Sequence, residues 1–388
     1  MKWSNKGHEF DGVYEQIKNK KAFYLFGAGQ YGEAIYQELK GKLDIVGFID
    51  NNPNKQGETY CGLDVLSLAD IKGKEGIGII VTVSPYTRKT LMLQMMTEGY
   101  VYNKDFFTME QFMSIYFAYA REELYIPSIS FLPSTKCNLN CEACLNFTPY
   151  IKEAMVRPWE VVKADVDLFF KHVDYIMLFH ISGGEPLLYP HMKELVEYIG
   201  ENYRHKIHFL RTVTNGTILP KPEILETFKK YNVDVTLDDY REGVPQFKDR
   251  FDKIREMLEE YEVVYEVNKV DQWIDLAPMT TDHSDWEPRR LQKKFEGCHV
   301  PWQEFRGGKL YSCNYASYAV VAGFIEEQED EVFHLDRYDK SQLKELMEFR
   351  MGYNTKGYVE FCKRCSGYVD INTNIVPPAK QVEKISAK

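Results

Sequence analysis

Cys137-Asn138-Leu139-Asn140-Cys141-Glu142-Ala143-Cys144 carries three thiols on one short loop, in the pattern C-x3-C-x2-C. The loop follows Ile126-Pro127-Ser128-Ile129-Ser130-Phe131-Leu132, an apolar run that reads as a buried strand. Structural zinc closes all its positions with Cys or His, and neither residue type follows until His172. Three thiolates suit a four-iron cluster that leaves one iron open to an outside molecule. On these residues alone a zinc knot stays open as the alternative.

A second segment, Ser182-Gly183-Gly184-Glu185-Pro186, ends the apolar run Tyr175-Ile176-Met177-Leu178-Phe179-His180-Ile181. That run also reads as a strand, and its paired glycines allow the backbone to turn close against a ligand; an ordinary strand-to-loop turn would use the same residues. Cysteine loop and GGEP segment together resemble the radical S-adenosylmethionine (radical SAM) superfamily. The resemblance implies that Cys137, Cys141 and Cys144 hold a [4Fe–4S] cluster and that SAM fills the open iron. It further implies that Gly183, Gly184, Glu185 and Pro186 receive the amino end of SAM, and that the bound cofactor is split to a 5′-deoxyadenosyl radical. Thr212-Val213-Thr214-Asn215-Gly216-Thr217 and Val233-Asp234-Val235-Thr236-Leu237-Asp238-Asp239 look like the family's next two strand ends. They carry SAM-contact roles over to Asn215 and Thr236. Thr236 stands where relatives carry serine, Asp239 replaces a glycine, and Ala143 replaces a common aromatic, so another residue must cover the adenine.

Of the remaining cysteines, Cys61 is isolated and reads as a small buried hydrophobe. Cys298, Cys313, Cys362 and Cys365 resemble the shortened auxiliary-cluster domain called twitch, a reduced form of SPASM. The resemblance implies a second [4Fe–4S] cluster with every corner closed, able to pass electrons. Structural zinc is the alternative; disulfides fit less well, since the opening Met1-Lys2-Trp3-Ser4-Asn5-Lys6 is polar and a cytoplasmic location keeps thiols reduced.

The 388 residues allow two or three domains, and no run of eighteen apolar residues suggests a membrane span. A net charge of −10 argues against a nucleic-acid partner, which needs a basic surface. Glu326-Glu327-Gln328-Glu329-Asp330-Glu331 reads as a solvated loop.

Residues 1–110 read as a Rossmann-like parallel sheet. The run Ala22–Phe26 enters Gly27-Ala28-Gly29-Gln30-Tyr31-Gly32, a helical pattern follows over Glu33–Leu39, and the strand Ile45–Ile49 ends at Asp50. In this fingerprint Gly27, Gly29 and Gly32 cradle a phosphate at a helix N-terminus and Asp50 meets a ribose hydroxyl. The stretches Gly47–Pro53 and Gly62–Leu66 resemble the N-terminal domain of bacterial nucleotide-sugar acyltransferases. A nucleotide-sugar or related phosphate ligand, NAD, and a purely assembling role all stay open.

A connecting helix is expected over 111–125. Over 126–290, strand runs alternate with helical patterns at Pro158–Val173, Met192–Ile199, Pro222–Tyr231 and Phe251–Glu260. Repeated βα units imply parallel strands, and the resemblance makes them a partial (β/α)6 barrel with its chemistry at the C-terminal strand ends. Residues 291–388 are expected to form a small α+β auxiliary Fe–S domain and tail. The fold class is therefore α/β.

The assembled reading is an oxidoreductase or epimerase acting on a sugar, nucleotide-sugar or aminocyclitol, with a flavodoxin or ferredoxin as reductant. Peptide side-chain modification is the alternative, and a non-catalytic Fe–S carrier a third reading. Asp238, Asp239, Tyr240 and His180 lie near strand ends as candidates for proton transfer, although an acid there is as readily a turn former or cap. His172, His191 and His205 read as surface residues.

Overall fold

The computed structural model describes residues 1–298, 302–368 and 371–383; the last residues assigned to the C-terminal tail lie outside these. Packing divides the chain into two compact units. One comprises Asn5–Pro127 with Leu343–Met347, the other Met1–Ser4, Ser128–Gln342 and the described residues from Glu348 on. Among the described residues no helix is long and apolar enough to cross a membrane.

The first unit is built on a six-stranded sheet of β1 (Ala22–Phe26), β2 (Ile45–Ile49), β3 (Thr59–Tyr60), β4 (Leu63–Leu66), β5 (Ile77–Val81) and β6 (Phe106–Thr108). Its order is β3-β4-β2-β1-β5-β6, parallel throughout except for the β3–β4 hairpin. Around it lie α1 (Asp11–Lys18), α2 (Gln30–Leu39), α3 (Pro85–Thr97) and α4 (Met109–Tyr116). Strand order reverses between β1 and β5, the place where such sheets leave a crevice at their carboxyl ends. Tyr24, Phe26, Ile49, Ile79, Val81 and Phe106 fill the core on one side of the sheet.

Two glycines of the Gly-rich turn have internal reasons. Gly27 has φ +127°, and a Cβ there would lie 2.7 Å from the Thr82 carbonyl oxygen. A Cβ on Gly32 would lie 2.1 Å from the Gly27 oxygen, so α2 packs on β1 only without a side chain at that point. Gly29 differs: nothing lies within 4 Å of its would-be Cβ.

Two expectations need correction here. Cys61 is only partly buried and sits in the β3–β4 turn at φ +53°, because a two-strand hairpin at the sheet edge has no core to offer it. The connecting segment is helical from Met109 to Arg121, not over 111–125; Glu122, left-handed at φ +54°, ends it, and strand has begun by Tyr125.

The second unit holds β7 (Tyr125–Phe131), β8 (Tyr175–Ile181), β9 (Ile207–Thr214), β10 (Val233–Asp238) and β11 (Tyr265–Asn268), then β12 (Trp273–Ile274), β13 (Glu304–Arg306), β14 (Lys309–Tyr311), β15 (Val332–His334) and β16 (Ile375–Val376). Its eight-stranded sheet runs β11-β10-β9-β8-β7-β13-β14-β15, while β12 and β16 pair apart from it. The C-terminal third thus adds strands to the free edge of β7 instead of forming a separate sheet; β13 is parallel to β7, and β14 and β15 are antiparallel additions.

Helices α5 (Trp159–His172), α6 (Met192–Asn202), α7 (Pro222–Tyr231), α8 (Lys248–Glu260), α9 (Pro288–Cys298) and α10 (Asn314–Val321) complete the unit. Helix α7 shows why the local sequence folds as it does. Pro222 opens its first turn, Ile224, Leu225, Phe228 and Tyr231 are buried at helical spacing, Lys229 and Lys230 meet its C-terminus, and Asn232 at φ +51° ends it. Helix α5 is fastened to the sheet by aromatics: Phe169 lies 5.6 Å from Phe179 and 5.2 Å from Phe305, and Phe179 lies 5.4 Å from Phe131. Each such pair contributes about 0.5–1.5 kcal/mol beyond its buried area.

Register fixes the two faces of this sheet. His180 pairs with Arg211, Arg211 with Asp234, Thr236 with Glu266, and Asp238 with Asn268, so these side chains share one face. Leu210, Thr212, Val235 and Leu237 point the other way and are buried. One face is a helix-covered core, and the other carries these polar side chains together with Leu178, Phe209 and Val213.

The Gly-rich turn yields a contrast that chemical denaturation can measure. Gly32→Ala should destabilise the chain by about 1–3 kcal/mol, as overpacking does, whereas Gly29→Ala, with open space at its Cβ but at the N-cap of α2, should cost less than about 1 kcal/mol.

Candidate functional site

The carboxyl ends of β7, β8 and β9 meet in a knot of backbone. A Cβ on Gly183 would lie 2.7 Å from the Ser134 carbonyl oxygen, and one on Gly184 would lie 2.5 Å from those of Thr135 and Lys136. Both glycines are therefore demanded by the protein's own chain, namely the segment that leads into Cys137. The Gly184 N–H donates to the Ser134 oxygen at 3.1 Å and the Glu185 N–H to the Lys136 oxygen at 2.8 Å. Asn146 adds its side-chain amide to the Gly183 oxygen at 2.6 Å. Pro186 is buried at the start of a short 3-10 turn over Pro186–Leu188.

Glu185 is 1% exposed, and both its oxygens are engaged. One accepts the Asn215 N–H at 2.8 Å, the other the Leu187 N–H at 3.1 Å. The carboxyl ties the end of β8 to the Thr-Asn-Gly turn after β9. Burial pushes its pKa from 4.5 up to about 7 against the downward pull of those two N–H donors. Asn215 continues the chain of contacts: its amide reaches Asn138 Oδ1 at 3.1 Å and Cys137 Sγ at 3.8 Å, while Asn138 donates to Thr217 Oγ1 at 2.7 Å.

The three thiols of the loop pack with Leu139, Tyr240, Val244, Phe247, Trp273 and Ala379. Burial pushes the Cys137 and Cys141 thiols up to about 12, so neither stays a thiolate unless a cation takes the charge. Donors point at the sulfurs. The Leu139 N–H approaches Cys137 Sγ at 3.4 Å and the Gln381 amide approaches Cys141 Sγ at 3.2 Å, while Cys144 donates to Thr148 Oγ1 at 3.4 Å. N–H groups aimed at sulfur are what iron–sulfur thiolates carry.

The other four cysteines, far apart in sequence, line one cavity together with Lys294, Phe295, Tyr315, Phe361 and Tyr368. Backbone N–H groups of Gly367 and Tyr368 approach Cys365 and Cys298 Sγ, each at 3.3 Å. Burial raises the Cys362 thiol to about 12 and the Cys365 thiol to about 11, and holds Cys313 well above its usual value. Lys294 donates to the carbonyl oxygens of both Cys362 and Cys365. Among the described residues no three His, Cys, Asp or Glu side chains converge as a single ion would require. The thiols of Cys298, Cys313, Cys362 and Cys365 line a cavity instead.

The polar candidates have partners in the protein. Asp238 is buried, accepts from Tyr240 Oη and from Asn268 Nδ2 at 2.7 Å each, and has its pKa raised by burial. Tyr240, held well above the usual phenol range by burial, stands edge-on to Trp273 at 5.2 Å. Asp239 is gripped by the Arg241 guanidinium at 2.8 Å through both oxygens and is lowered by it. Thr236 donates to Glu266 at 3.2 Å on the polar face. His180, enclosed beside Trp302 and facing Arg211, is held near 4. Glu331 corrects the solvated-loop expectation: it is 5% exposed and accepts from Lys356 Nζ and the Glu360 N–H, each at 2.7 Å.

In the first unit, Gly27 and Gly29 form the turn after β1 and Asp50 ends β2. Asp50 Oδ2 takes the Ala28 N–H at 3.0 Å and Lys55 Nζ at 3.2 Å, and Lys55 also reaches the Ala28 oxygen at 2.6 Å. The acid holds the Gly-rich turn itself. The sequence carries no signal for Gln381 on the Cys141 sulfur, for Lys294 on the Cys362 and Cys365 carbonyl oxygens, or for the segment 134–136 against Gly183 and Gly184; folding alone brings these together.

Glu185 gives a pH-dependent prediction for the metal-free chain. Its folded pKa lies above its unfolded one, so its contribution to stability is full below about 4.5 and is lost as pH rises through about 7. Urea unfolding of Glu185→Gln at several pH values between 5 and 8 should show a flatter decline than the unsubstituted chain.

Comparison with known proteins bears on both units. Residues 131–271 match the radical SAM superfamily model, and residues 19–103 match the family described as C2185-like, N-terminal. No curated protein matches the chain. Among solved structures, Streptococcus suis SuiB is 22% identical over 38% of this chain, which spans 34% of SuiB, with a TM-score of 0.30. Native anSMEcpe with bound AdoMet and Cp18Cys peptide is 15% identical over 62% of this chain and 89% of its own, with a TM-score of 0.40. BtrN in complex with AdoMet and 2-DOIA is 17% identical over 66% of this chain and 100% of its own, with a TM-score of 0.41. It is thus over residues 131–271 that the chain is similar to the radical SAM superfamily.

Proposed function

We propose that this chain is a radical SAM enzyme that modifies a small polar molecule (a sugar, nucleotide-sugar or aminocyclitol) by dehydrogenation or epimerisation. The observation that carries the reading is the meeting, in one hydrogen-bonded knot, of the three-cysteine loop, the GGEP segment and the Thr-Asn-Gly turn. A cluster on Cys137, Cys141 and Cys144 with SAM at its open iron supplies a radical able to take hydrogen from an unactivated C–H bond.

The chain's own residues hold and enclose that site. Gly183, Gly184 and Glu185 fix the loop by backbone contact, and this GGEP segment is our candidate to receive the amino end of SAM. Asn215 orients Cys137 through its amide, and Tyr240 and Trp273 supply the aromatic wall that Ala143 does not. The βα units over 126–290 are read as a partial (β/α)6 barrel. The polar face of β8–β11, with His180, Arg211, Asp234, Thr236 and Glu266, supports a hydroxyl- or amine-bearing substrate, because such groups can exchange partners with it. Asp238, hydrogen-bonded to Tyr240 at the carboxyl end of that face, is our candidate for moving a proton.

Cys298, Cys313, Cys362 and Cys365 fit a closed auxiliary cluster of the twitch kind: four buried or half-buried thiols around one cavity, two with backbone N–H groups on their sulfurs. Such a cluster would accept an electron from the substrate, which favours oxidation over epimerisation. In the first unit, the open space beside Gly29 at the strand-order reversal supports a phosphate-bearing ligand, a nucleotide-sugar by our reading. A flavodoxin or ferredoxin in the cytoplasm is the proposed electron donor.

Anaerobic reconstitution should give roughly eight irons per chain, four for each cluster. Replacing Cys137, Cys141 and Cys144 by alanine should remove about half of them. Replacing Cys362 and Cys365 should leave SAM cleavage in place while stopping formation of an oxidised product. Hydroxylated and aminated sugars, not peptides, should stimulate cleavage; stimulation by a peptide alone would overturn the substrate assignment.

A further inference from the structure

Residues 378–382 lie across the cysteine loop, 240 positions from Cys141 in the case of Gln381. Cys141 and Gln381 form an antiparallel bridge. The Glu142 N–H donates to the Lys380 oxygen at 2.8 Å and the Val382 N–H to the Asn140 oxygen at 2.9 Å. Lys380 Nζ pairs with Glu142 at 2.7 Å. Ala379, fully buried at φ +53°, packs with Leu139, Cys141 and Val244. Gly243 makes room for it, since a Cβ there would lie 2.6 Å from the Pro378 oxygen. Upstream, β16 pairs with β12, and the Asn372 amide joins Asp275, Ser366 and Gly367 beside Cys365. The segment is built into the site from both sides.

Gln381 divides its amide between two tasks. Oε1 accepts the Asn140 N–H at 2.8 Å, and Nε2 donates to Cys141 Sγ at 3.2 Å and to the Ala379 oxygen at 2.7 Å. A donor on a cluster thiolate stabilises the extra negative charge of the reduced state, and covering the loop keeps water and oxidant away. We propose that residues 378–382 are a strap over the SAM-site cluster and that Gln381 is a positioning residue. Its N–H to Cys141 raises that cluster's reduction potential, and the strap protects the cluster from oxidant. The inference rests on the radical SAM reading above.

The test uses anaerobically loaded, full-length protein, with the SAM-site cluster recognised as the reduced EPR signal that shifts on adding SAM. Gln381→Glu keeps the acceptor for Asn140 and removes the donor to sulfur. At a fixed potential near the midpoint, it should lower the reduced-to-oxidised ratio by at least about fivefold, the worth of one ordinary hydrogen bond, with the added carboxylate charge pushing the same way. At 59 mV per tenfold for one electron, this is a drop of at least about 40 mV. Gln381→Leu should shift it in the same direction. Gly243→Val, which touches no cysteine and pushes on the strap, should retain iron yet lose its visible absorbance in air several-fold faster. An unchanged potential in both Gln381 variants overturns the tuning role, and a wild-type rate of bleaching in Gly243→Val overturns the cover. Absence of any SAM-responsive signal in the unsubstituted protein would instead sink the radical SAM reading, and the strap's role with it.

Discussion

No side chain fits between the turn after β8 and the segment entering the cysteine loop, and the site depends on that crowding. Gly184 brings its backbone so close to Thr135 and Lys136 that a single methyl group would overlap two carbonyl oxygens. Glycine is the only residue that permits the approach, and two backbone hydrogen bonds hold it. The position of Cys137 is set from there. Glu185 carries the constraint to the third strand by accepting the Asn215 N–H, and the Asn215 amide returns to Cys137. Three strand ends are thus fixed by backbone contact and one buried carboxyl, which suits a site that must hold its shape while a cofactor comes and goes.

Electrostatics divides the same sheet into two roles. On the helix side, Leu210, Val235 and Leu237 are buried and carry the stability. On the other side, His180, Arg211, Asp234, Thr236 and Glu266 share a face; the Arg211–Asp234 contact is long at 3.8 Å, and the Arg211–Glu266 pair, at 3.2 Å, leaves its carboxylate largely exposed. Loose, partly solvated ion pairs add little to stability but can give way to a ligand's polar groups. The thiols lie deeper, and burial raises those of Cys137 and Cys141.

Much of the architecture was legible because it depends on local pattern. Pro222–Tyr231 is helical over the residues its apolar spacing indicates, and Ala22–Phe26, Ile45–Ile49 and Tyr175–Ile181 are strands as their runs imply. What escaped the sequence is what folding brings together. The addition of β13–β15 to the edge of β7 left no trace in periodicity, since three-residue strands have none to show. Gly183 and Gly184 were legible as special, but their close approach to the backbone of 134–136 was not. Asp50 was legible as the acid after β2, yet it holds the Ala28 N–H, a contact that spacing cannot reveal. Glu331, in an acidic run, gave no sign that it alone would be buried against Lys356 and Glu360.

If Cys137, Cys141 and Cys144 hold iron with one position open to SAM, the reduced protein must cleave SAM. The most direct measurement is incubation of anaerobically purified, reduced protein with SAM, followed by product analysis and metal determination on the same sample. Bound iron and sulfide are expected, with 5′-deoxyadenosine and methionine appearing together. Bound zinc without iron, or intact SAM after prolonged strong reduction of an iron-loaded protein, would contradict that assignment.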